Sequence, residues 1–255
     1  MADNWAKQLK DWRRQHEEDY AKTILQPPPM KTLYSLLQLP GVYIVMGERG
    51  GGKSGLVHRA VYEFHKNRGV PACLHLPGIS DSVKKRIQRQ LLPPWLKVTS
   101  RRSEWPERCI VIYDEAAQTT HARRSQSGDA VELDDLIGIS RQRDQMIFFI
   151  AHHSRKIDIN LIHEVTGIIW KKPTYAHQMW ERSELSDFSM RAFDFFQGVL
   201  GPAPNNGTRR KVMEAGLMLD LQNFGFFQFK NKLAPWWTDD LSRVFRNLEL
   251  RNKGA

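Results

Sequence analysis

Residues 47–54 carry side chains of the type and spacing that bind the phosphates of a nucleoside triphosphate. The segment reads Gly-Glu-Arg-Gly-Gly-Gly-Lys-Ser, which is the complete pattern G-x-x-x-x-G-K-[ST]. Glycine lets the backbone curl tightly enough for successive N–H groups to point at phosphate oxygens, because it has no Cβ to clash. The pattern predicts that the Lys53 ammonium reaches the β- and γ-phosphates and that the Ser54 hydroxyl ligates Mg²⁺. The expected ligands are therefore ATP and Mg²⁺. The predicted binding residues are Gly47, Glu48, Arg49, Gly50, Gly51, Gly52, Lys53, Ser54 and Gly55.

The flanking sequence puts this segment between a strand and a helix. An apolar run at 42–46 precedes it, and a helical pattern follows it over residues 54–67. A helix that begins at such a loop directs its positive end at a bound anion. This context makes a merely flexible glycine-rich turn the weaker interpretation.

An acidic pair follows a second buried strand. Residues 109–113 are almost wholly apolar, which is typical of a strand buried on both faces of a parallel sheet, and Asp114-Glu115 comes next. In P-loop ATPases an aspartate at this position lies near Mg²⁺, and an adjacent glutamate polarises the attacking water. We therefore predict Asp114 at the metal and Glu115 as the water-activating base of a hydrolase. An acidic pair that only caps the next segment is the less favoured alternative.

Composition narrows the class of partner. The 255 residues suffice for one α/β core with appendages, and the formal net charge of +10 favours a polyanion, either nucleic acid or an anionic membrane surface. Cys73 and Cys109 lie in apolar, strand-like surroundings, as expected for reduced thiols of a cytosolic protein. No secretory signal is recognisable, and no apolar run approaches the roughly 18 to 20 residues of a membrane span.

Strand and helix patterns alternate from residue 32 onward, which indicates a parallel α/β sheet. The predicted strands are 42–46, 71–76, 109–113, 146–151 and 166–170. The predicted helices are 54–67, 79–91 and 131–143. Residues 92–108, rich in proline and arginine, are predicted to be an irregular connection.

The two ends of the chain differ from this core. Apolar side chains at helical spacing predict an amphipathic helix over residues 5–25, which ends at three consecutive prolines and packs either on its own domain or on a neighbouring subunit. Residues 201–207 have linker composition. We therefore predict an N-terminal helix and proline linker at 1–30, an ATPase core at 31–200 and a small C-terminal extension at 201–255.

Two basic groups are candidate contacts to a polyanion. Arg123 and Arg124 lie in a loop directly downstream of the acidic pair, where a mobile basic loop leaving an ATP site meets a polymeric substrate. Lys84, Lys85 and Arg86 form the second group. Solvated surface charge is an equally good interpretation of both.

A polar residue ends the fourth predicted strand. In P-loop motors of the additional-strand type, such a residue lies between the glycine-rich loop and the acidic pair and senses the γ-phosphate. His152 occupies this place. A neutral imidazole donates or accepts a hydrogen bond with water or a phosphate oxygen. The alternative is a polar strand end without such a role.

These residues together resemble the FtsK–HerA superfamily of DNA-pumping ATPases over residues 41–175. That family has a small residue and an arginine before the sensor strand, as in Ser140-Arg141 here, and a polar residue after it. The chain departs from the family in having His152 where glutamine is usual and one additional residue before Ile157. The resemblance implies a P-loop NTPase core of the α/β class, with a parallel sheet of the additional-strand type and helices on both faces.

The resemblance also implies a ring, commonly a hexamer, in which an arginine reaches the γ-phosphate of the neighbouring subunit. Arg141 is the candidate for this arginine finger and Arg143 is the second candidate. An arginine that only caps the carboxyl end of its own helix is an equally good interpretation.

Within the superfamily, the chain is most similar to the genome-packaging ATPases of tailless icosahedral viruses with an internal membrane. This branch implies translocation of double-stranded DNA into a preformed capsid, capsid or portal-vertex proteins as partners, and a place in the host cytoplasm or at a capsid vertex of the virion. The alternative is an ATP-dependent phage assembly or extrusion protein of the zonula-occludens-toxin-like type, acting on protein or membrane. Those relatives typically carry a transmembrane segment. A small-molecule kinase is disfavoured, because Glu115 and a sensor residue suit attack by water.

Overall fold

The computed structural model describes residues 31–114, 138–152, 162, 164–201, 206–223 and 225–242. The predicted N-terminal helix, the start of the helix predicted at 131–143, and the predicted site residues Glu115, Arg123 and Arg124 lie outside the described residues. Within the described ranges, no helix has the length and apolar character needed to span a bilayer.

One mixed sheet organises the described residues. Its strands are β1 (Gly41–Met46), β2 (Ala72–His75), β3 (Leu96–Thr99), β4 (Ile110–Asp114), β5 (Met146–Ile150), β6 (Gly167–Trp170), β7 (Ala215–Asp220) and β8 (Gly225–Lys230). They lie in the order β3-β2-β4-β5-β1-β6-β7-β8. The first six in this order are parallel to one another, and β7 and β8 are added antiparallel at the β6 edge.

The position of β5 is the topological feature that matters for the site. β5 pairs with β1 on one side and with β4 on the other. One strand therefore separates the strand that enters the glycine-rich loop from the strand that ends in Asp114. This is the additional-strand arrangement that the sequence predicts.

Helices cover both faces of the sheet, as predicted. They are α1 (Lys53–Arg68), α2 (Asp81–Gln90), α3 (Tyr175–Met179), α4 (Ser186–Leu200), α5 (Asn206–Glu214) and α6 (Asp239–Ser242). Residues 138–142, the described end of the helix predicted at 131–143, are also helical. Two 3₁₀ segments, Leu33–Leu36 and Arg102–Glu104, are also present.

The alternation of side chains along β1 divides the core into two layers. Tyr43 and Val45 face the layer that α1 covers, where Phe64 is fully buried. Val42 and Ile44 face the opposite layer, which α4 covers with Phe188 and Ala192. A strand buried on both faces needs apolar residues at every position, which explains the uninterrupted apolar runs.

One element prediction is wrong and one segment has an unforeseen place. Residues 96–99 form the edge strand β3 within the segment predicted to be irregular. Its signal is weak because it has four residues, begins two positions after Pro93-Pro94 and includes the exposed Lys97. In the predicted C-terminal extension, β7 and β8 continue the sheet of the core through antiparallel pairing of β7 with β6.

Candidate nucleotide-binding site

The topology brings the predicted site residues to one edge of the sheet. β1 leads into the loop at 47–52 and then into α1, Asp114 is the last residue of β4, and His152 follows β5 by two residues. Parallel strands end at the same edge, and ligands of open α/β sheets bind there.

The loop backbone requires glycine at three positions. Gly47, Gly50 and Gly52 have φ angles of 140°, 77° and 87°, which L side chains rarely adopt. Gly52 is also the residue that caps α1. The glycines of the motif therefore permit a loop that turns sharply into the amino end of a helix, as a phosphate-binding loop does.

Lys53 lies at the centre of the site. Its side chain is buried, and its Nζ donates hydrogen bonds to Gly47 O at 3.0 Å and Glu48 O at 2.9 Å. The same Nζ lies 3.3 Å from His152 Nδ1. An imidazole that accepts from an ammonium at Nδ1 is neutral and carries its proton on Nε2, so its second nitrogen is a donor. The end of β5 thus meets the predicted phosphate-binding lysine.

Ser54 and Asp114 meet on the other side of this lysine. Ser54 Oγ donates to Asp114 Oδ2 at 2.9 Å, and the carboxylate is almost fully buried at 6% exposure. A hydroxyl and a carboxylate are hard oxygen donors, the kind that Mg²⁺ prefers when it also binds phosphate. The pair therefore has the ligand types that fit Mg²⁺, and its role as the metal site stays a prediction.

The remaining predicted loop residues have different surroundings. Glu48 is half-buried and pairs with Lys172, whose Nζ lies 3.1 Å from Glu48 Oε1, whereas Arg49 is exposed. Gly55 begins the buried face of α1, where an added Cβ would lie 3.0 Å from Leu233 Cδ2 and 3.3 Å from Trp237 Cε2. Close packing against the C-terminal segment accounts for this glycine.

The strand order, the backbone of the loop and the pairing of Ser54 with Asp114 together decide the type of fold. This is the P-loop NTPase fold. The inserted β5, which carries His152 at its end, makes it the additional-strand form.

Comparison with known proteins gives structural neighbours only. No protein-family model and no curated protein sequence matches the chain. The chain is similar in fold to the DNA-packaging ATPase from Sulfolobus turreted icosahedral virus, with 11% identity, a TM-score of 0.48, and coverage of 75% of this chain and 98% of that chain. The genome-packaging NTPase from Sulfolobus turreted icosahedral virus 2 in complex with ATP-gammaS shows 12% identity, a TM-score of 0.48, and coverage of 76% and 98%.

A third neighbour is the pCW3 conjugation coupling protein TcpA, monomer form with ATPgS, at 14% identity and a TM-score of 0.47, covering 83% of this chain and 65% of that chain. At these identities and with TM-scores below 0.5, the neighbours carry no argument about function, and the functional assignment rests on the residues of this chain.

The two arginine-finger candidates lie at the opposite edge of the sheet. Arg141 is exposed and precedes β5, so the length of this strand separates it from the P-loop of its own chain. Arg143 donates to Trp105 O at 2.6 Å and is partly buried. Because the Arg143 guanidinium is hydrogen-bonded within its own chain, Arg141 is the better placed of the two to reach a second subunit.

The basic group on α2 is only partly available to a polyanion. Lys84 forms an ion pair with Glu104 and lowers the pKa of that carboxyl group. Lys85 is exposed and Arg86 is half-buried. Their role as DNA contacts stays a prediction.

Sequence reasoning missed one residue next to the P-loop. Lys171, which follows β6, is fully buried at 0% exposure and donates three hydrogen bonds to backbone carbonyls. A lysine directly after a strand buried on both faces was the available signal. Its acceptors, however, lie 41 to 44 residues further along the chain, where no local pattern reveals them.

Proposed function

We propose that the protein is a Mg²⁺-dependent ATPase that couples hydrolysis to movement of double-stranded DNA. The observation that carries the proposal is the convergence of three strand ends. Lys53 Nζ lies 3.3 Å from His152 Nδ1, and Ser54 Oγ lies 2.9 Å from Asp114 Oδ2. Groups suited to phosphate, γ-phosphate sensing and Mg²⁺ therefore share one site.

Each residue has a part that its chemistry supports. ATP would supply the reactive γ-phosphoryl group, and Mg²⁺ held by this chain would neutralise the charge that develops on it. Lys53 offsets negative charge on the phosphates, and Ser54 with Asp114 holds the metal. The neutral imidazole of His152 orients the attacking water or a γ-phosphate oxygen through its Nε2 proton. Glu115, which follows Asp114 directly, is our proposed base for that water.

The choice of DNA as substrate is supported by charge and by the resemblance. The net charge of +10 favours sequence-independent phosphate contacts, which depend strongly on salt. By its resemblance to the FtsK–HerA superfamily, the chain acts as a ring, with a hexamer favoured and Arg141 reaching the neighbour's site. The corresponding role is packaging of a viral genome into a capsid, with capsid or portal-vertex partners, in the host cytoplasm or at a virion vertex.

The test is phosphate release by the full chain with no polymer, with duplex DNA and with anionic lipid vesicles. We expect stimulation by duplex DNA at low salt that disappears as salt rises. Stimulation by vesicles alone would favour the assembly or extrusion alternative. Failure of the wild type to release phosphate under every condition would overturn the proposal.

Two variants test the mechanism in the same assay. Glu115→Gln should abolish turnover. Arg141→Ala should lower the turnover rate by about 10³-fold or more, because loss of an arginine finger has an effect of this size. Arg108→Ala is the matched control, because Arg108 is a highly exposed arginine at the same edge of the sheet. An Arg141→Ala variant as active as Arg108→Ala would remove Arg141 from the mechanism.

A further inference from the structure

The first two residues of the P-loop rest on the chain that follows β6. The backbone N–H of Lys171 donates to Met46 O at 2.7 Å, at the point where β1 ends. Gly47 lies directly against Lys171, since an added Cβ would come within 2.7 Å of the Lys171 carbonyl oxygen. The Glu48 N–H donates to Lys172 O at 2.8 Å and continues this contact.

The Lys171 side chain joins this point to the carboxyl end of α5. Its Nζ donates to Val212 O at 3.0 Å, to Met213 O at 2.9 Å and to Ala215 O. An ammonium has three protons, so these three carbonyls satisfy all of them. The last carbonyls of a helix have no partner within the helix, and a cation there also interacts favourably with the helix dipole.

The carboxyl end of α5 returns to the other end of the loop. An added Cβ on Gly52 would lie 3.3 Å from both Cα and O of Met213, the residue whose carbonyl Lys171 binds. Both ends of the P-loop therefore contact the two segments that Lys171 connects. A displacement of α5 away from β6 would break the hydrogen bonds of Lys171 Nζ and the contact of Met213 with Gly52.

Electrostatics links Lys171 to the nucleotide site as well. Burial lowers the pKa of the Lys171 ammonium to about 7, while the Glu214 carboxylate opposes this shift and the Lys53 charge adds to it. The two lysine charges therefore act on each other. A triphosphate bound at Lys53 would offset this repulsion, because it would bring negative charge next to one of the two cations.

We propose that Lys171 is a positioning residue of the nucleotide site: its buried ammonium holds the P-loop against the carboxyl end of α5, so that nucleotide binding is transmitted to α5 and to the β7–β8 hairpin. This inference rests on the proposed ATP binding and adds a route by which that binding changes the C-terminal segment. Coupling between two sites is a free energy, so nucleotide binding at the P-loop should change the stability of α5 by a measurable amount.

The test is amide hydrogen exchange of the full wild-type chain with and without Mg²⁺ and ATPγS. We expect slower exchange at two places, in the loop at 47–56 and in α5 at 210–214. The α5 effect should be at least about fivefold, the lower end of typical coupling. No change anywhere would overturn the proposed ATP binding and this inference together. Protection of the loop with unchanged exchange in α5 would overturn the inference alone.

The variant Lys171→Met separates coupling from stability. It should keep nucleotide protection in the loop at raised ligand concentration and lose it in α5. The control is Lys230→Met, because Lys230 also faces Glu214, at 3.6 Å, but its side chain is half exposed. Equal α5 protection in Lys171→Met and Lys230→Met would contradict the inference. If Lys171→Met does not fold, the wild-type comparison still decides.

Discussion

The two sides of β1 hold the P-loop in different ways. On the β5 side, Val45 O accepts from Ala151 N at 2.9 Å, and the chain continues to His152, whose imidazole meets Lys53. On the β6 side, Met46 O accepts from Lys171 N, and the lysine side chain turns to α5. The β5 side therefore provides a group that can contact the nucleotide, whereas the β6 side holds the P-loop in position through hydrogen bonds and packing.

The buried lysines of these two sides show what a motif reveals. Lys53 is recognisable because its acceptors, Gly47 and Glu48, belong to the same short pattern. Lys171 donates three backbone hydrogen bonds, all of them to residues more than 40 positions away. A phosphate-binding loop that many proteins share has a recognisable local sequence pattern. The residues that hold this loop in position depend on the packing of the individual chain.

Among the residues that contact the P-loop from the two sides of β1, Lys53 should show the largest effect. Lys53→Met should lower the ATP turnover rate by at least about 10²-fold, as removal of one preorganised donor to a developing charge does. Steady-state phosphate release measures it, with thermal unfolding as the check on folding. Lys66→Met, an exposed lysine near the end of α1, is the control and should leave turnover unchanged. Equal activity of the two variants would contradict the assignment of Lys53 to phosphate binding.

The next effect concerns the sensor position. His152→Ala should reduce kcat by about 10-fold or more with little change in nucleotide affinity, because orientation of water matters mainly in the transition state. His152→Gln should restore part of the rate, since an amide also donates a hydrogen bond. A rate in His152→Ala equal to the wild type would show that His152 is only a polar strand end.

The pH dependence of stability tests the β6 side. Folded Lys171 loses its proton at a pH of about 7, and an unfolded lysine does so near 10.5. Between these values the unfolded chain binds more protons, so the contribution of this group to stability should rise with pH from about 7 toward 10.5. The difference in unfolding free energy between the wild type and Lys171→Met, measured with denaturant at each pH, isolates the contribution of Lys171. The same pH slope in both proteins would contradict the assignment.

The smallest effect is expected at the partly exposed ion pair beside the loop. Lys172→Met removes the contact with Glu48 and should cost about 0.5 kcal/mol of unfolding free energy, as pairs near solvent do. Urea unfolding measures this change. A cost comparable to that of Lys171→Met would mean that the two lysines share the support of the loop.

The sequence predicted the catalytic edge of the sheet better than its periphery. β1, the loop and α1 follow from one motif, and the inserted β5 follows from its apolar run between polar ends. β3 was missed because it has only four residues, begins two positions after Pro93-Pro94 and has one exposed residue. The place of β7 and β8 could not be read, because strand pairing across β6 depends on contacts between distant segments.

The site residues divide in the same way. Ser54, Asp114, Lys53 and His152 lie close together, since strand ends of a parallel sheet fix their relative places, and their roles stay predictions. Arg141 lies at the far edge of its own chain's sheet, where only a second subunit could bring it to a nucleotide. One chain's sequence contains no direct signal for that geometry.

The most direct test of the central claim is an equilibrium titration of the full chain with ATPγS, with and without Mg²⁺. The account predicts that Mg²⁺ strengthens binding to the wild type and that Asp114→Asn removes this increment while leaving binding without metal unchanged. Equal affinity of the wild type with and without Mg²⁺, or an Asp114→Asn variant with an undiminished metal effect, would contradict a magnesium nucleotide site built from β1, β4 and β5.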